Sequence, residues 1–387
     1  MRTPSLSYAS ARAGAMVLFA APGLSYGLFT ARLPALKVQT GITESELGIA
    51  LLLLGAGAVV GLTCANRVVA RLGLRPVLLG SAAFCLLLLL TASFTHSRET
   101  FMATVTLFGL AMGHLDVSMN ALGIGIERAF ERATMNTLHA AYSLGGFVGS
   151  LVGGALAGLG LGVSMCFALP SACFLVLMGL MSSSIYTQSE CPNRRTASSV
   201  KLRDWLKLPA ALFVCGLLAF IAYESEGVAG DWGNLYMLRE KAAPEAVAAL
   251  VYGVVAVASL MSRLFADRIR SRYGNFPVLV ASSFVATIGM VVVHVSSYWE
   301  LALAGFALAG MGLGPIVPIL FSISGNLPGV TPSQASSLVS LLGYCGLLLC
   351  PAFFGFLAEH AGLDSIFVVV IGFLVSLMAG SLVLRGR

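Results

Sequence analysis

Twelve stretches of about twenty mostly apolar residues run along this 387-residue chain, near 13–36, 46–66, 75–95, 100–126, 138–160, 163–186, 208–230, 246–266, 276–296, 299–324, 334–357 and 364–384. A helix of about that length spans the hydrocarbon core of a bilayer. Only 10% of the residues are charged and 58% are hydrophobic, whereas a soluble domain carries about 25% charged residues. Lipid is therefore the solvent for most of the chain. That excludes a soluble enzyme, a nucleic-acid binder and a secreted domain. The eight cysteines include no C-x-x-C pair and no zinc spacing, so they read as small apolar packing residues, with only Cys191 in a polar segment. Residues 13–31 are long enough to span, and read as the first membrane helix rather than a cleaved leader.

The positive charges test the helix count. With a cytoplasmic N-terminus and twelve crossings, 18 of the 23 Lys and Arg residues fall on the inner side. Arg32, Lys37, Arg98, Arg239 and Lys241 remain outside or at outer helix ends. This follows the positive-inside rule, and one miscounted helix would invert every assignment after it. Residues 187–207 form the one long polar stretch, with five positive charges. The expected organisation is therefore an N-terminal six-helix bundle over 1–186, a cytoplasmic linker over 187–207 and a C-terminal six-helix bundle over 208–387. Met112-Gly113 and Met311-Gly312, and the pairs Gly146, Gly149 and Gly343, Gly346, recur at similar offsets, as an internal duplication would leave them.

Three local patterns carry a family resemblance. The loop after the second run reads Asn66-Arg67-Val68-Val69-Ala70-Arg71-Leu72-Gly73-Leu74-Arg75, and its counterpart in the second half contains Ala266-Asp267-Arg268 followed by Arg270 and Arg272. The fifth run holds Gly145-Gly146-Phe147-Val148-Gly149-Ser150-Leu151-Val152-Gly153-Gly154. These resemble the G-x-x-x-D-R-x-G-x-R loop and the G-x-x-x-G-P-x-x-G-G antiporter motif of the major facilitator superfamily, with Ala70 in place of the Asp and Ser150 in place of the Pro. Asp116-Val117-Ser118-Met119-Asn120 and Glu226-Gly227-Val228-Ala229-Gly230-Asp231-Trp232 are similar to a bacterial inner-membrane branch, the YbjJ-like transporters, loosely grouped with fucose-permease-like sugar carriers. The resemblance implies an all-α fold of two pseudo-symmetric six-helix bundles. It also implies a conformational latch at Arg71, Gly73, Arg75, Asp267 and Arg268, with Asp267 the better acidic candidate.

Ionisable residues inside a span cost at least about 2.5–3.5 kcal/mol and so mark a cavity or a partner. Asp116 lies near the centre of the fourth run, with Asn120 four residues on and on the same helical face. They read either as a proton-coupling or substrate-binding pair or as a structural hydrogen-bond pair. Gly109 and Gly113 share roughly that face and leave room for a ligand or a helix. The seventh run ends with Glu224, Glu226 and Asp231. Glu224 and Glu226 point about 200° apart on a helix, and the family-like segment favours Glu226, with Asp231 and Trp232 at the outer mouth. Arg32, after Tyr26, either snorkels to the interface or faces a cavity. His139, Tyr142 and Asn136 open the fifth run as substrate contacts or interface anchors. Pro315 and Pro318 break the tenth run.

No nucleotide-binding loop, zinc motif or nucleophile elbow occurs, and no cofactor is expected. The expected function is secondary active transport by alternating access in the bacterial inner (cytoplasmic) membrane, with both termini cytoplasmic. The expected partners are a small-molecule substrate, protons and the lipid bilayer, with no nucleic acid, and the protein is expected to act as a monomer. Proton-coupled uptake of a sugar-like or small polar solute is the first reading. Proton-coupled efflux of a drug or metabolite is the second, and a non-transporting membrane sensor the third.

Overall fold

The computed structural model describes residues 6–186, 208–248 and 251–385; the 187–207 linker lies outside the described residues. Among these the chain is helical and contains no strand. The long helices are α1 (Tyr8–Thr40), α2 (Glu44–Leu72), α3 (Leu74–Ala92), α4 (Arg98–Phe130), α5 (Met135–Gly158) and α6 (Val163–Met181). They continue with α7 (Ala210–Asp231), α8 (Val251–Tyr273), α9 (Asn275–Val295), α10a (Trp299–Leu313), α10b (Ile316–Gly325), α11 (Pro332–Ala361) and α12 (Leu363–Ser381). Two short helices, Gly233–Arg239 and Glu245–Ala248, follow α7. Among the described residues ten stretches are long and apolar enough to cross a membrane, with α10a and α10b counted together. In α8 the apolar run gives way to Arg263, Asp267, Arg268, Arg270 and Arg272.

Side-chain caps and glycines set the helix ends. Thr43 and Glu46 form a reciprocal capping box at the start of α2, which satisfies two otherwise orphan N–H groups. Ser97 caps α4 by accepting from the Thr100 amide. The α2–α3 and α8–α9 turns are built alike. Gly73 and Gly274 sit at φ of 89° and 84°, a region closed to most side chains. Each is followed three residues later by a proline, Pro76 or Pro277, in a first helical turn whose N–H groups have no intrahelical partner anyway.

The chain divides into two compact units. The first is Met1–Thr134, Leu138–Leu208 and Thr331–Ser337; the second is Met135–Thr137, Pro209–Val330 and Leu338–Arg387. Within the first, glycines bring helix backbones together. A Cβ at Gly23 or Gly27 of α1 would collide with the Tyr142 or Gly146 carbonyl of α5, and one at Gly145 or Gly149 of α5 with the Ala20 or Leu24 carbonyl of α1. Lipid tails are as apolar as leucine, so close van der Waals contact of this kind, rather than apolar transfer, holds membrane helices together. The second unit is cored by aromatic rings: Tyr236 lies tilted against Phe367 with centroids 4.0 Å apart, and Phe306 meets Phe367 edge-on at 5.9 Å.

Candidate functional site

Asp116 sits near the middle of α4 and is 7% exposed, and Asn120, one turn on, is fully buried. The Asn120 amide nitrogen donates to the Asp116 carbonyl at 2.9 Å and to its carboxylate at 3.3 Å. That leaves the amide oxygen for His139 of α5, whose Nε2 lies 3.0 Å away. An amide oxygen only accepts, so Nε2 carries the hydrogen. Phe19 of α1 closes edge-on over the imidazole at 5.4 Å. A carboxylate, an amide and an imidazole thus form one connected chain inside the first unit. Sequence spacing paired Asp116 with Asn120; it could not add His139, because nothing in the sequence shows which face of α5 meets α4.

The glycines behind Asp116 serve a helix and not a ligand. A Cβ at Gly109 or Gly113 would strike the Leu54 or Ala58 carbonyl of α2. Of the antiporter-like glycines of α5, Gly145, Gly149 and Gly153 likewise pack on α1. Arg32 is partly buried and does not pair with Asp116; its Nε is buried without a hydrogen-bond partner among the described residues. Tyr26 is 41% exposed and leans on Phe29 at 6.4 Å.

In the second unit Glu226 faces Arg263 of α8, with oxygen and nitrogen 3.5 Å apart. Arg263 also donates through Nε to the Gly314 carbonyl at 2.8 Å. The reason lies in the sequence. A helix would bond that carbonyl to the N–H of residue 318, which is a proline and has none. Arg263 therefore supplies the missing donor at the α10a–α10b break. Glu224, on the other side of α7, is 5% exposed and meets α11, where Gly346 leaves the room its carboxyl occupies. Asp231 at the end of α7 is exposed, and Trp232 lies against Gly355 of α11.

Of the loop residues, Asp267 of α8 makes the most bonds to another helix among the described residues. Its carboxylate accepts from the Asn136 and Thr137 backbone amides of α5 at 3.2 and 2.8 Å. It accepts as well from the Asn136 amide at 3.0 Å and the Thr137 hydroxyl at 2.8 Å. The cation beside it is Arg270, 3.0 Å away and 4% exposed. Arg268 is exposed, as are Arg71 and Arg75, the last donating to the Ser182 carbonyl at 2.9 Å. Counting back seven residues from Gly73 and Gly274 places Asn66, rather than Ala70, at the position of Asp267. Asn66 bonds Ser333 near the start of α11. Ser336 and Ser337 of the same turn donate to the Val117 and Leu62 carbonyls at 2.9 and 3.1 Å. The loop resemblance aligned the acidic position with Ala70; the folded register moves it one helical turn back.

No group of His, Cys, Asp and Glu suited to a metal ion occurs among the described residues. Comparison with known proteins bears on the family and the fold. An uncharacterized MFS-type transporter of Yersinia pestis is 30% identical over 93% of this chain and 92% of its own length. In fold, the chain is similar to the E. coli fucose:proton symporter FucP, with a TM-score of 0.80 at 14% identity over 98% of this chain and 100% of that one. It is also similar to the proton:xylose symporter XylE, with a TM-score of 0.74 at 14% identity over 96% of this chain and 94% of that one. Residues 15–330 and 233–387 match the family model for the Major Facilitator Superfamily. The chain is a multi-pass membrane transporter and belongs to the major facilitator superfamily.

Proposed function

We propose that this transporter takes up a small polar, sugar-like solute together with protons, and that Asp116 is the carboxylate that loads and releases the proton. The observation that carries the reading is the buried Asp116–Asn120–His139 chain. A carboxylate at that depth is too expensive to keep without a task or a partner, and here it is wired to a second titratable side chain. Protonation of Asp116 would bias the equilibrium between two states of the carrier, and substrate binding would bias the same equilibrium. Two of the fold neighbours are proton symporters of fucose and xylose, which supports the same choice of solute. In this reading the halves 1–186 and 208–387 are the moving bundles, the membrane is the bacterial inner membrane, and both termini are cytoplasmic. Arg32, Tyr26, Glu226 and Asp231 are further candidates for solute or coupling contacts, and Arg71, Gly73, Arg75, Asp267 and Arg268 for the latch.

The test uses purified protein in liposomes with a pH-sensitive dye inside and a panel of sugars, organic acids and cationic drugs outside. Lumen acidification on adding one of these, abolished in Asp116→Asn, is the expected result. Alkalinisation would replace uptake by exchange. Unchanged proton movement in Asp116→Asn would remove Asp116 from the coupling role.

A further inference from the structure

The first unit fills the glycine groove between α1 and α5 with backbone. The second unit handles its counterpart between α7 and α11 differently. Gly343 and Gly346 of α11 face the Tyr223 ring and the Glu224 carboxyl of α7, and a Cβ at Gly346 would overlap the Glu224 carboxyl oxygen. One turn beyond Gly346 along α11, the Cys350 thiol hydrogen-bonds the same carboxyl. Glu224 is 5% exposed, and among the described residues no Lys, Arg or His pairs with it.

The neighbouring groups are few. On α7 itself Asp231, seven residues on, lies on the same face and adds repulsion. On α8 the cation that reaches α7, Arg263, is turned to Glu226 and Gly314. α10b has no ionisable side chain, and the acidic residues of α10a and α12 are Glu300 and Asp364 in their first turns. In the short helix after α7, the Tyr236 hydroxyl is bonded to Asp364.

A carboxylate buried without a counter-charge costs several kcal/mol, and binding a proton relieves that cost. We propose that Glu224 is a second proton-binding site of this transporter, held in the α7–α11 groove by Gly346 and Cys350 and exchanging with the outer side along the face that ends at Asp231. Glu226, by contrast, has a counter-charge in Arg263. That the bound proton takes part in transport rests on the proton-coupled reading above; that Glu224 binds one does not.

The test needs no transport substrate. Dicyclohexylcarbodiimide, an apolar reagent, adds a protonated carboxyl O–H across its carbodiimide bond. The purified full-length protein in liposomes is treated across a pH series, and the modified residue is located by peptide mass spectrometry. The expected result is label on Glu224 that grows about tenfold per pH unit along the alkaline limb, as a one-proton titration demands. Label on Glu226 should stay near background. In Glu224→Gln the Glu224 signal disappears, whereas Glu226→Gln keeps it; if Glu224→Gln fails to fold, the site assignment in wild type decides alone. Label on Glu226 in place of Glu224, or Glu224 label independent of pH, would overturn the proposal. Success here with no proton movement in the dye assay would mean that the site binds a proton but the uptake reading is wrong.

Discussion

Asp267 caps a helix to which it does not belong. Thr134, the residue in the N-cap position of α5, makes no side-chain cap. The orphan amides of Asn136 and Thr137 are taken instead by the carboxylate of Asp267 from α8. The same carboxylate neutralises buried Arg270. Asp267→Ala should therefore cost more than an ordinary cap. Loss of a cap costs about 1 kcal/mol, and removal of the carboxylate from a buried ion pair raises the total toward about 3–5 kcal/mol. Asp267→Asn keeps one acceptor oxygen in place of two and should fall between. Thermal unfolding in detergent gives the totals. Hydrogen exchange should show the loss concentrated in the first turn of α5; a uniform loss would refute the cap.

Arg263 and Glu226 form an ion pair, yet the two partners should not be equally important. Glu226→Gln removes a charge from a partly exposed pair at 3.5 Å, where such contacts contribute about 0–1 kcal/mol. Arg263→Met removes the donor that satisfies the Gly314 carbonyl. An unsatisfied buried carbonyl costs about 1–3 kcal/mol. Arg263→Met should thus be clearly the less stable variant in a melting comparison, and the reverse order would show that the pair and not the helix break needs the arginine.

Asn120 holds Asp116 and His139 in one chain, so its loss should be felt at both ends. Asn120→Ala leaves the imidazole N–H and the Asp116 carboxylate without their shared partner. A stability loss of about 1–3 kcal/mol is expected. In the liposome assay the pH profile of proton movement should shift relative to wild type. His139→Gln, whose amide can still donate to Asn120, should keep most of the stability while changing that profile. Unaltered profiles in both variants would reduce the chain to a structural hydrogen bond.

The fold was legible because its signals are long. Each span is about twenty residues of one character, and the Arg and Lys asymmetry checked their number. Pro315 and Pro318 announced the break in the tenth run, and it lies between Leu313 and Ile316. Site detail was less legible because it depends on which helix faces which. Spacing placed Asp116 and Asn120 on one face; the partnership of Asn120 with His139 depends on α4 meeting α5. Between Glu224 and Glu226 the family-like segment favoured Glu226, but the surroundings of the two carboxyls had no local signal. They turn on Arg263, 37 residues beyond Glu226, and on a glycine of α11.

Acid should loosen the first turn of α2. The Thr43 backbone N–H, and after it the Arg98 guanidinium, hold the Glu46 carboxyl below the usual carboxylate range. A group lowered in this way stabilises the fold above its ordinary pKa and loses that contribution as pH falls through the lower, folded value. Exchange of the Glu46 and Leu47 amides should therefore quicken in acid, below the ordinary glutamate range. Thr43→Ala, which breaks the capping box, should already show the fast exchange at neutral pH. Acid-insensitive exchange in wild type would mean that the box contributes nothing.

Two glycines separate close packing from mere permissiveness. Gly23 of α1 has the Tyr142 carbonyl of α5 where a Cβ would stand, whereas Gly154 of α5 has nothing within 4 Å of that position. Alanine at 23 must push two helix backbones apart, and overpacking of a tight contact costs about 1–3 kcal/mol. Alanine at 154 meets open space and gains about 0.5–1 kcal/mol from reduced backbone freedom in the unfolded chain. The melting temperature should fall for Gly23→Ala and hold or rise for Gly154→Ala. If both fell alike, the α1–α5 contact would owe nothing to its small residues, and the glycine run of α5 would need some use other than helix packing.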